Sequence, residues 1–207
     1  MPSIKHLAAW AAATSGPLMA FCQTPAGWEP TANTSIGIEF GSTAVTPAGL
    51  LLPQSLVDAG QPRVYSPAIY PSTYVFALID VRVPRSAVET SDPTSLFPGL
   101  GADRTTRLHW WQDNVSQTNG TGDFSASSPP LADYQGPMPT LNDAPHDYIL
   151  YLFDQPADWV SPAGAEEYYA NPADMHRMSF NVTQLVEELG KPIAANYFTV
   201  QNENNTV

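Results

Sequence analysis

Two imidazoles and one carboxylate sit on segments that otherwise read as buried strands. Asp80 closes the apolar run Thr73–Asp80, His109 lies inside Arg107–Val115, and His146 follows Pro145 at the head of Pro145–Gln155, two residues before Tyr148. At the ends of neighbouring strands these groups would form one small polar site. Two imidazoles and a phenol can hold a carboxylate or phosphate through N–H and O–H donors. The same groups can move protons, with imidazole as acid or base and Asp80 orienting it. A neighbouring Asp80 favours the charged form of both imidazoles. No serine or cysteine stands in a nucleophile motif. A metal site of two histidines and one aspartate lacks any HxxxH or HxH spacing, so neither a metal nor a cofactor is expected.

Each of these residues also has a simpler explanation. His109 is equally consistent with a core histidine satisfied by its neighbours. Asp80 can cap its strand by accepting loop N–H groups. Tyr148 and Trp110 are residue types found more often in cores than on ligands. Glu166, Glu167, Glu187 and Glu188 read as exposed helix faces, and His176 and Arg177 as solvated.

The elements that must position the site are strands. The chain has 207 residues, 21 prolines and 13 glycines, which argue for short strands and punctuated loops. Continuous apolar runs such as TYVFALID predict strands buried on both faces. Ser35–Gly41 and Asn196–Gln201 read as further strands, Pro162–Tyr169 as a short helix. The clearest helix is Asn181–Leu189, with Asn181 as N-cap and Gly190 and Pro192 as the stop. Residues 23–207 read as a single, mostly β domain with few helices.

Composition removes several partners. The 20 acidic and 8 basic residues leave a net charge of −12, which disfavours nucleic acid and anionic membranes. Residues 1–22 read as a signal peptide, with an apolar LAAWAAA too short to span a membrane, so no transmembrane anchoring is expected. The single cysteine, Cys22, leaves no disulfide framework. Sequons at Asn33, Asn114, Asn119, Asn181 and Asn204 fit a secreted, glycosylated protein.

The motifs also follow a family order. They are DxxxP (Asp80–Pro84), LHW (Leu108–Trp110), YxGPxP (Tyr134–Pro139), PHxY (Pro145–Tyr148) and LGxPxAxNYF (Leu189–Phe198), behind a QTPxGxEP-type start at Gln23–Pro30. This pattern resembles the phosphatidylethanolamine-binding protein family, in particular its secreted fungal branch. The resemblance implies a large central antiparallel sheet packed on a smaller one, with a C-terminal helix. It implies a shallow anion pocket built from Asp80, Pro84, His109, Pro137, Pro139, His146 and Tyr148. Two departures reverse charge: Arg82 stands where the family usually has aspartate, and Asp147 where it usually has arginine. A swapped Arg82–Asp147 pair is expected, because breaking a buried pair costs roughly 3–5 kcal/mol.

The resemblance leaves two functions open. One is a cofactor-free cyclase or accessory protein of fungal secondary metabolism, joining maleic-anhydride monomers into a nonadride core. His109, His146 and Asp80 would be its catalytic groups, a small anion or anhydride its ligand, and a pathway protein a possible partner. The other is a secreted binder of phospholipid headgroups or small anions, or a protease inhibitor.

Overall fold

A computed structural model describes residues 23–87, 103–118, 122–170 and 175–205. The signal-peptide segment 1–22 and the sequon at Asn119 lie outside the described residues. Elements are numbered in chain order. The strands are β1 (Gly37–Phe40), β2 (Thr43–Ala44), β3 (Leu50–Leu52), β4 (Arg63–Tyr65), β5 (Thr73–Pro84), β6 (Arg104–Gln117), β7 (Phe124–Ala126), β8 (His146–Asp154) and β9 (Ala194–Val200). The helices are α1 (Gln54–Asp58), α2 (Ala165–Ala170) and α3 (Val182–Leu189).

A six-stranded sheet runs in the order β3-β9-β8-β5-β6-β7, and a three-stranded one in the order β2-β1-β4. The large sheet is not wholly antiparallel: β3 pairs in parallel with β9, Leu50 lying opposite Phe198. The sheet is therefore mixed, a correction to the purely antiparallel expectation. Among the described residues no helix is long and apolar enough to cross a membrane.

The large sheet is the middle layer. On one face Phe76, Leu78, Trp110, Leu150 and Phe198 pack with Ile38, Phe40 and Val64 of the small sheet. On the other, Val75, Ala77, Ile79, Ile149, Tyr151 and Phe153 pack with Val182, Leu185 and Leu189 of α3. Covering both faces explains why β5 and β8 are apolar at consecutive rather than alternate positions. The α3 termini follow their residues. The Asn181 side chain accepts from the Gln184 amide at 3.0 Å, and Gly190, at φ 82°, ends the helix by donating its N–H to Val186 O.

The ladder between β5 and β6 is broken between Tyr74 and Phe76, between Leu78 and Ile79, and between Asp80 and Val83. At the second break Leu78 faces Trp110 while Ile79 faces Leu108, so His109 is the extra residue of a β-bulge. Asp80 does not end its strand, since β5 runs on to Pro84. The short elements α1 and β7 have no periodicity strong enough to announce them.

Arg177 is fully buried, not solvated. Its Nε and one Nη donate to Tyr169 O at 2.9 and 2.5 Å, and the other Nη donates to Asp133 O at 2.8 Å. A guanidinium can be sealed where carbonyls face its fork. Here it gathers a carbonyl at the end of α2 and the loop that leads over His109.

Candidate functional site

The site forms where three adjacent central strands meet. Asp80 on β5 lies directly opposite Tyr148 on β8 and Arg107 on β6. His146 begins β8, two residues before Tyr148, so the pleat places both side chains on one face. The bulge on β6 brings His109 to them, its ring edge-on to Tyr148 at 5.2 Å between centroids. Tyr148 in turn stacks on Phe198 at 5.5 Å.

His146 has a carboxylate on each side. Its Nδ1 lies 2.8 Å from Asp80 Oδ2, and its Nε2 lies 3.1 Å from Asp143 Oδ2. Ionised carboxylates only accept, so both ring nitrogens carry hydrogen and the ring is an imidazolium. Burial alone would lower its pKa, but the hydrogen bonds and charges of Asp80 and Asp143 outweigh burial and raise it.

His109 is the opposite case. Its Nδ1 lies 2.9 Å from the Gln135 carbonyl, which can only accept, so Nδ1 holds the hydrogen and Nε2 the lone pair. Nε2 is buried with no hydrogen-bond partner among the described residues. Burial first, then the nearby charge of Arg107, lowers the His109 pKa to about 4 against the opposing pull of Asp80. Asp80 thus favours the charged form of both rings, but at His109 burial and the Arg107 charge outweigh it. The Gln135 amide also donates to His109 O at 2.8 Å, so one residue grips the bulge twice.

The Tyr148 hydroxyl is buried close enough to Asp80 to feel its charge, without a hydrogen bond of good geometry. Burial, then that charge, pushes its pKa well above the ordinary phenol value.

Asp143 and Arg104 also belong to this site, and neither stood out in the sequence. Asp143 Oδ2 accepts from His146 and from one Nη of Arg104; Oδ1 accepts from the other Nη at 3.0 Å and from the Ala144 amide at 2.8 Å. Hydrogen bonding to Arg104 is the main reason the Asp143 pKa falls to about 2. The turn holding Asp143 passes through Asn142 at φ 63°. Asn205 ties it down, donating to Asp143 O at 2.9 Å and accepting from the Asn142 amide at 2.6 Å. Asp80, His146, Asp143 and Arg104 thus form one row of alternating charge. The only trace in the sequence is an aspartate three residues before His146.

Arg82 Nε donates to Asp147 Oδ2. The Asp147 side chain is 8% exposed and that of Arg82 43%. Burial raises the Asp147 pKa even against Arg82. The Arg82 amide also donates to Asp80 Oδ1 at 2.8 Å, locking the carboxylate that orients His146.

The loop over His109 rests on α1. Tyr134 Oη donates to Val57 O at 2.6 Å, and a Cβ on Gly136 would come within 2.2 Å of Asp58 Oδ1. Only glycine permits that approach. Pro137 and Pro139 are buried in this loop, whose hydrogen bonds to the site run through Gln135 instead. The Pro139 carbonyl is held by Asn202 at 2.8 Å.

Asp80, His109, His146 and Tyr148 are 2%, 1%, 1% and 0% exposed. They form a buried polar cluster. A solvent cleft of about 430 Å³ lies next to them, lined by Pro84, Arg85, Arg104, Leu141 and Asp143 among others. Among the described residues no group of three His, Cys, Asp or Glu side chains is arranged to hold a metal ion.

The sequons are not equivalent. Asn33, Asn181 and Asn204 are exposed. Asn114 is half-buried; its amide donates to Ser128 Oγ at 3.2 Å and its Oδ1 accepts from Gln155 at 3.0 Å.

A mixed sheet between a small sheet and helices, with this polar row at its end, defines a class: the chain belongs to the phosphatidylethanolamine-binding protein family. It is 30% identical over 192 residues to "Phomoidride biosynthesis cluster protein N" of Talaromyces stipitatus, covering 85% of this chain and 88% of that protein. It is 26% identical to a 26 kDa secreted antigen of Toxocara canis, over 80% of this chain and 56% of the antigen. Among solved structures it is similar to carboxypeptidase Y inhibitor in complex with its cognate proteinase, with a TM-score of 0.54, 16% identity and 84% and 85% of the two chains covered. It is also similar to a phosphatidylethanolamine-binding protein from Plasmodium vivax, with a TM-score of 0.48, 17% identity and 83% and 88% covered. No family model matches the chain.

Proposed function

We propose that this protein serves secondary-metabolite biosynthesis as a cofactor-free acid–base catalyst acting on small anhydrides or their carboxylates. The phomoidride-cluster relatives support the pathway. The observation that carries the chemistry is the divergence of the two imidazoles. His146 is doubly protonated between Asp80 and Asp143, while His109 is neutral with an open lone pair. Two titratable groups pushed apart in this way mark an acid and a base.

The reaction that fits is the dimerising cyclisation of maleic-anhydride monomers toward a nonadride core. His109 Nε2 takes an acidic C–H proton from one monomer. The resulting carbanion attacks an alkene carbon of the second, forming a C–C bond. The alkene electron pair moves onto an anhydride oxygen, which the His146 N–H and the Tyr148 hydroxyl stabilise. The proton then returns from His109 to carbon, giving a dimer joined by one C–C bond; a second deprotonation and addition between its two halves forms the second C–C bond and closes the ring. Both His146 N–H groups are held by carboxylates at rest, so one must be released, and the 134–139 loop must move aside, before the reaction.

The same closure favours a second reading, an accessory protein that holds a carboxylate without turning it over. The secretory pathway is the proposed location, supported by residues 1–22 and by the antigen's name. The test is to incubate purified protein with maleic-anhydride monomers and follow coupled product by mass spectrometry. Product lost in both His109→Gln and His146→Gln supports catalysis. No product above the buffer blank rejects it, and thermal stabilisation by the dicarboxylates alone would then favour the accessory reading.

A further inference from the structure

Asp143 occupies the position where an external anion would be expected. It meets both requirements of a bound carboxylate: a two-point grip on a guanidinium, Arg104, and an imidazolium N–H from His146. It is presented on a short turn rather than on a strand, and that turn is held to the rest of the protein through Asn205. Its far side borders the 430 Å³ cleft, so the grip is reachable from solvent through one side chain. The surrounding charge is unusual for so acidic a chain. Of its 8 basic residues, Arg82, Arg85, Arg104 and Arg107 all lie where the end of β5 meets the start of β6.

We propose that Asp143 is a built-in carboxylate latch, and that a small dicarboxylate entering the Arg85–Arg104 cleft binds by displacing Asp143 from Arg104 and His146. This rests on the reading that carboxylates are the ligand class of the site. The exchange conserves every hydrogen bond of Arg104 and His146, because one carboxylate replaces another. A second carboxylate would remain in the cleft beside Arg85. The resting protein therefore keeps its imidazolium paired and closed to other anions until a ligand of matching shape arrives. Binding to a latched protein is weakened by the fraction that is open.

Removing the latch must tighten binding. If the latch is closed nine times in ten or more, Asp143→Ala gains about ten-fold or more in maleate affinity. Calorimetric titration of wild type, Asp143→Ala and Asp143→Asn with maleate, acetate and inorganic phosphate reads this directly. The expected result is a gain of at least about ten-fold for maleate in Asp143→Ala, a smaller gain in Asp143→Asn, and loss of the gain when Arg104→Ala is added. Equal or weaker binding of every anion in Asp143→Ala overturns the latch, and a gain for phosphate but not maleate overturns the ligand class. Should Asp143→Ala fail to fold, wild type decides: saturating maleate must shift the His146 Nε2 and Arg104 guanidinium resonances together, and unmoved resonances refute displacement. A gain in affinity with no coupled product keeps the latch and removes catalysis. Coupled product in wild type with no gain does the reverse.

Discussion

Replacing His109 by glutamine should remove a specific part of the protein's acid sensitivity. The His109 pKa falls from an ordinary 6.5 to about 4, mainly through burial. Its folded pKa is depressed, so its contribution is fully present above pH 6.5 and is lost as pH falls toward 4. That gap is about 2.5 on the pH scale, and at about 1.4 kcal/mol for each pH unit it is worth about 3 kcal/mol. Between those limits unfolding takes up one extra proton, giving a slope approaching about 1.4 kcal/mol per pH unit. Glutamine can still donate to the Gln135 carbonyl, so the bulge is retained. The assay is urea unfolding of both proteins from pH 7.5 to 4.5, read as the difference between the two curves. His146 acts in the opposite sense: its folded pKa is raised, so its contribution is full below 6.5 and lost as pH rises through the folded value. It is common to both proteins and cancels in the difference. Asp143 titrates between 3.8 and about 2, below the window. Parallel curves across the window would refute a buried, neutral His109. So would a ¹⁵N-imidazole spectrum in which His109 titrates near pH 6.5, or carries its hydrogen on Nε2.

Three further outcomes follow from the geometry. Arg82→Ala leaves the buried Asp147 carboxylate unpaired and should cost about 1–2 kcal/mol, less than for a fully buried pair because Arg82 is 43% exposed; chemical denaturation with the Arg82→Ala/Asp147→Ala double variant should recover part of this. Arg177→Met strands the carbonyls of Tyr169 and Asp133 and should cost about 3–5 kcal/mol, with amide exchange rising first around residues 131–135. In material from a glycosylating host, glycopeptide mapping should find Asn114 bare, because its amide nitrogen is committed to Ser128, and glycans confined to the exposed sequons.

Strands and site differ in how far the sequence reveals them. The central runs were legible because burial on both faces leaves no polar gap, and TYVFALID has none before Asp80. The cap at Asn181 and the stop at Gly190 were legible because capping is local chemistry. The parallel pairing of β3 with β9 was not, since it joins segments far apart in the chain with nothing local to record it. The same holds within the site. Asp80, His109 and His146 stand out as polar groups on apolar strands. Asp143 and Arg104 lie in or beside loops, where charged residues are ordinary, and only the fold joins them. Arg177 looks solvated in the sequence for a similar reason: its partners are backbone carbonyls, which have no sequence signature.

The position of β9 governs the order in which the molecule can be made. It lies between β3 and β8, so β3 has no partner in the sheet, and β8 has only β5, until Ala194–Val200 has been synthesised. Asn202 and Asn205, which secure the loop carbonyl at Pro139 and the Asp143 turn, come later still. Until then the β3 edge of the large sheet stays open, while β6, β5 and β8 can already pair. Such long-range pairing folds slowly and exposes unpaired strand edges meanwhile.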